Sequence, residues 1–134
     1  MYQPKIEPEY RCPLEHTIHL LSGKWKPRIL CRLSVESPMR YTELRQNLQD
    51  ITDAALSTSL QSLMESGLVR RISYDEIPPR VEYSLTEKGR SIMPVLYEIC
   101  LWSSQHFPKK QEELSSICLK CGYPGHTNPS NKEG

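Results

Sequence analysis

Apolar residues recur at helical spacing through most of this chain, with one interval of strand-like alternation. Leu14, Ile18 and Leu21 predict a first helix over about 13–21, with Pro13 at its first position, where a missing N–H costs nothing, and Ser22-Gly23 at its end. Trp25, Ile29, Leu30 and Leu33 predict a second helix through KWKPRILCRL, with Pro27 tolerated near its start. Ser37-Pro38 interrupts the pattern. Tyr41, Leu44 and Leu48 then define a short third helix with Thr42 as candidate N-cap. After Gln49-Asp50-Ile51, Thr52 caps a fourth helix whose apolar face is Ala55, Leu56, Leu60, Leu63 and Met64, and Gly67 ends it.

Past Gly67 the period changes. LVRRISYD and RVEYSL alternate as strands do, and Glu76-Ile77-Pro78-Pro79 between them reads as the tip of a hairpin, because consecutive prolines are excluded from a strand interior. Thr86 then caps a long last helix striped by Ile92, Val95, Leu96, Ile99 and Trp102. Two short helices joined by a tight turn and followed by a hairpin are the order of a winged helix-turn-helix, in which the second helix can lie in a DNA major groove. The expected fold is mainly α with a small β-hairpin wing. The expected layout is an arm over 1–11, one domain over 12–107 and a partly helical tail over 108–134.

Composition agrees with one folded domain: 134 residues, 37% hydrophobic and 25% charged. No apolar run approaches the roughly 20 residues of a membrane helix and the N-terminus lacks a secretory signal, so the expected location is the cytoplasm and no membrane partner is expected. The net charge is only +1, but its distribution is uneven: −1 over 1–21, +4 over 22–48, −2 over 49–91 and zero over 92–134. Paired carboxylates, a Ser/His/Asp set and a Gly-rich phosphate loop do not stand out, so an enzyme is not expected.

Several stretches together carry a family resemblance: Cys12-Pro13, Gly23-Lys24-Trp25-Lys26, Tyr41-Thr42-Glu43-Leu44-Arg45, Glu65-Ser66-Gly67-Leu68-Val69, and Pro78-Pro79-Arg80-Val81-Glu82-Tyr83-Ser84-Leu85-Thr86-Glu87-Lys88-Gly89. Over about 12–106 the chain resembles the HxlR-type winged-helix (MarR-like) transcriptional regulators. The resemblance implies a homodimer joined by its first and last helices, a double-stranded DNA operator as partner, and the fourth helix in the major groove with the hairpin wing near the minor groove.

Opposite its apolar stripe, helix 4 carries Asp53, Ala54, Ser57, Thr58, Gln61 and Ser62, with Thr52 at its start. Gln can pair with adenine through two hydrogen bonds, and Ser and Thr hydroxyls serve bases or phosphates. A polar helix face is also what solvent requires. The helix carries no Lys or Arg, where many relatives have one at the position of Ala54 or Gln61. Phosphate contact is therefore expected from Lys24, Lys26, Arg28, Arg40 and Arg45, with Arg70, Arg71 and Arg80 of the hairpin. Arg80, beside Pro79, is the leading wing residue, because arginine in a narrow minor groove reads its shape. The uncharged helix 4 also suits a different function, a winged-helix protein-interaction module without DNA affinity. Trp25 reads as core, and Trp102 as core or dimer interface. His16 and His19 read as surface or interface histidines.

Five cysteines, an odd number without an export signal, argue against a disulfide scaffold. Cys12 stands at a helix N-terminus beside Arg11, a setting that favours the thiolate. Some members of the resembling family sense oxidants or electrophiles through a cysteine at this position. Cys12 is thus the redox candidate and a small electrophile or oxidant the candidate effector, against the alternative of a small apolar residue tucked into the dimer interface. Cys31 and Cys100 read as buried and inert, with Cys100 a second candidate for a disulfide across the dimer. In the tail, Cys118, Cys121 and His126 have the spacing of three zinc-knuckle ligands, but Asn131 stands where the fourth belongs. His106, another cysteine or the partner chain is the candidate fourth ligand, and a chance cysteine pair explains the tail equally well. No cofactor is required otherwise.

Overall fold

The computed structural model describes residues 12–107, which form five helices and three strands. The arm over 1–11 and the tail over 108–134, with Cys118, Cys121, His126 and the zinc expectation, lie outside the described residues.

Helix α1 spans Pro13–Leu20 and α2 Lys26–Val35, with Pro27 in its first turn as expected. Helix α3 spans Tyr41–Leu48 and α4 Asp53–Glu65. Strands β2, Val69–Tyr74, and β3, Arg80–Leu85, form the hairpin, with Val69 opposite Leu85 and Tyr74 opposite Arg80. Helix α5 spans Glu87–His106.

A strand absent from the sequence reading, β1 at Met39–Arg40, pairs antiparallel with β3 and makes the sheet order β1-β3-β2. Two residues are too few to show a period, and only the approach of β3 reveals them as strand. The start of α3 also differs. Its N-cap is Arg40, not Thr42, and the Glu43 carboxylate accepts the Arg40 backbone N–H at 2.9 Å, the carboxylate half of a capping box. Thr52 and Thr86 cap α4 and α5 as expected, accepting the N–H groups of Ala55 at 3.1 Å and Gly89 at 2.9 Å.

The core is built from α2 (Ile29, Leu30, Leu33), α3 (Leu44, Leu48), α4 (Leu56, Leu60, Leu63), the sheet (Met39, Val69, Tyr83, Leu85) and the first half of α5 (Met93, Leu96). Trp25 is half-buried at its edge, with Lys24 and Arg28 against its ring at 4.7 and 5.0 Å. The stripe of α5 divides. Leu96 is buried, but Val95, Ile99 and Trp102 are exposed, as are Leu14 and Ile18 on α1, so Trp102 is not core. Cys31 and Cys100 are half-buried rather than buried.

The α4–β2 corner is locked to the first turn of α5. Gly67 adopts φ +80°, a conformation that side chains other than glycine rarely take, and reverses the chain into β2. Thr86 donates its hydroxyl to the Gly67 carbonyl at 2.6 Å and its N–H to Leu68 O at 3.1 Å, while Lys88 Nζ donates to Ser66 O at 2.8 Å. Gly89 lies so close to the Leu68 carbonyl oxygen that a Cβ there would overlap it.

Candidate nucleic-acid interface

Residues Ala54, Ser57, Thr58 and Gln61 are spaced at i, i+3, i+4 and i+7, which stacks them along one side of α4, and all four are exposed. Leu56, Leu60 and Leu63 hold the opposite side in the core, so the polar row points outward for a packing reason. Gln61 donates to Glu65 Oε2 at 3.3 Å across one turn. The Thr52 hydroxyl oxygen is committed to the cap, which leaves its proton as a donor.

Two side chains of α3 set the angle of α4. Arg45 Nε lies 2.8 Å from Asp53 Oδ1, and the Tyr41 hydroxyl donates to the same carboxylate oxygen at 3.0 Å while lying 3.5 Å from Ser57 Oγ. Asp53 opens α4, where a carboxylate is favoured by the helix dipole. Helical spacing marks Tyr41 as an apolar position of α3 and does not show this bond. A half-buried phenol still requires a partner for its O–H, and that requirement was the available signal.

The basic residues are distributed around this unit. Arg40 at the N-cap of α3 and Arg45 in its middle are both exposed. Lys26 is half-buried and donates to Leu20 O at 3.4 Å, joining α1 to α2. Arg32, counted in the basic segment, is buried and neutralised by Glu36 at 3.0 Å. Arg71 is exposed on β2 and donates to Ser73 at 3.2 Å. Arg80 differs most from expectation. Instead of projecting from the loop, its guanidinium lies over the Tyr74 ring at 3.9 Å, 3.1 Å from Glu76 and 3.8 Å from Glu82. The register that sets Tyr74 opposite Arg80 makes this cluster, and register is a property of the paired strands. Hydrogen bonding to the Glu82 carboxylate, then desolvation, holds the Tyr74 phenol above its usual pKa.

Comparison with known proteins agrees with this architecture. The profile of the HxlR-like helix-turn-helix family matches residues 20–111. The chain belongs to that family. It is 44% identical over 92 residues to the HTH-type transcriptional regulator YdzF of Bacillus subtilis, covering 69% of this chain and 84% of YdzF. The reduced form of the B. subtilis transcriptional regulator YodB superposes with a TM-score of 0.68 at 30% identity, covering 75% of this chain and all of that one. The redox regulator HypR, in its oxidized form, superposes with a TM-score of 0.64 at 35% identity, covering 71% and 97%. This HxlR-like protein is therefore a helix-turn-helix transcriptional regulator and not an enzyme. In it Cys12 is exposed at the N-cap of α1 with a free thiol. Among the described residues no helix is long and apolar enough to cross a membrane.

Proposed function

We propose that this regulator acts in the cytoplasm as a homodimer that binds a double-stranded DNA operator, with α4 in the major groove and the β2–β3 wing near the minor groove. The observation that carries the reading is the outward polar row Ala54, Ser57, Thr58 and Gln61 on a helix clamped by α3. Gln61 supplies the bidentate amide, Ser57 and Thr58 hydroxyls reach bases or phosphates, and Ala54 offers its methyl to a thymine methyl. Thr52, Lys26, Arg40, Arg45 and Arg71 take the phosphates, while Arg80, engaged with Glu76, Glu82 and Tyr74, shapes the wing. Exposed Leu14 and Ile18 on α1 and Val95, Ile99 and Trp102 on α5 support dimerisation through the terminal helices, because an apolar surface of that kind marks an association site.

Exposure of Cys12 supports a further element, oxidation or electrophilic modification of its thiol as the signal that changes operator binding. The redox regulator HypR among the structural relatives supports the same element.

Selection of duplexes from a random pool tests the DNA reading. The protein is expected to enrich a palindromic site, and Gln61→Ala is expected to weaken binding to it about tenfold and relax preference at one base position. Failure to enrich any duplex at low salt would overturn the reading and favour the protein-interaction module.

A further inference from the structure

The wing is an unusual object for contact with a polyanion. Over 69–85 it carries Arg70, Arg71 and Arg80 against Asp75, Glu76 and Glu82, so it is neutral as a whole. Arg80, its cation nearest the tip, is occupied by two carboxylates and an aromatic face, and its Nε is buried without a hydrogen-bond partner. The tip itself presents Ile77, which is 99% exposed, followed by exposed Pro78 and Pro79. An aliphatic side chain this exposed adds almost no buried apolar area to the fold. The two prolines restrict the backbone behind it, and the Tyr74–Arg80–Glu76–Glu82 cluster closes the base of the loop.

We infer that the wing of this protein meets DNA through an apolar contact: Ile77 enters the minor groove beside the site read by α4, and Arg80 is a positioning residue that holds the loop in shape. The inference rests on the DNA-binding reading above. Aliphatic and proline side chains are known to seat against sugar walls and base steps in minor grooves, where they need no counterion exchange with phosphate. Burial of one isoleucine gives this contact about a tenfold share of affinity.

The test uses the full chain and the duplex enriched by selection, with circular dichroism to confirm folding of each variant. Ile77→Ser is expected to weaken binding about tenfold with an unchanged slope of log K against log salt, and to lose hydroxyl-radical protection in the minor groove flanking the site. Ile77→Val restores most of the affinity. Arg80→Lys keeps the charge but loses the forked pairing, so it weakens binding to a similar extent, and the double variant Ile77→Ser/Arg80→Lys is no weaker than either single one. Binding of Ile77→Ser within twofold of the parent, or losses that add in the double variant, would overturn the inference while leaving the DNA reading intact. If selection enriches no duplex for the parent protein, the DNA reading falls and this inference falls with it.

Discussion

Arg45 and Asp53 form an ion pair of 2.8 Å that joins the middle of α3 to the first residue of α4, and Tyr41 adds a second bond to the same carboxylate oxygen. The pair is exposed, so it contributes little to stability, about 0–1 kcal/mol. Its importance lies in charge and orientation. Asp53 offsets the charge of Arg45, which weakens the phosphate contact proposed for that guanidinium, and ties the outward row of α4 to α3. Asp53→Asn is expected to shift the unfolding free energy by less than about 1 kcal/mol. The same change should steepen the salt dependence of DNA binding by roughly one phosphate contact, and raise non-specific affinity more than specific affinity. Filter binding at several salt concentrations checks this, and an unchanged slope would deny Arg45 its phosphate role.

The exposed apolar positions of the terminal helices predict the oligomeric state. Trp102 is 55% exposed and stacks on His106 at 4.4 Å, presenting a broad apolar face to solvent. Ile99→Asp and Trp102→Asp are each expected to give a folded monomer in sedimentation velocity, because neither side chain contributes to the core. Loss of helicity in either variant, or persistence of a dimer in both, would count against association through α5.

Gly89 predicts a reversal of an ordinary rule. Replacing a glycine inside a helix by alanine normally stabilises by up to about 1 kcal/mol. At this position the added Cβ would overlap the Leu68 carbonyl, which is held by the Thr86 N–H. Gly89→Ala is therefore expected to destabilise by about 2–3 kcal/mol, visible as a lower urea midpoint at constant m.

For the thiol signal, the expected outcome is that a mild oxidant such as diamide changes operator affinity in the parent protein and leaves Cys12→Ser unaffected. Reductant should restore the parent. If Cys12→Ser responds as the parent does, the signal belongs to another thiol, with half-buried Cys31 and Cys100 next in line.

The helices, their caps at Thr52 and Thr86, the hairpin and the outward polar row of α4 are all legible in the amino-acid sequence, because each depends on periodicity or on residues within one turn of each other. The family was legible for the same reason, in short motifs that retain their order along the chain. Pairings between distant segments were not. Two-residue β1 exists only because β3 lies beside it, the Tyr41–Asp53 bond only because the α3–α4 turn brings them together, and the engagement of Arg80 only because strand register sets Tyr74 opposite it. The division of the α5 stripe into buried and exposed positions was likewise a tertiary decision. One apolar stripe runs the length of the helix, but the rest of the chain covers Met93 and Leu96 and leaves Val95, Ile99 and Trp102 facing outward. Local chemistry thus determined what each segment is, and only packing decided which polar groups are occupied and which apolar ones are left facing outward.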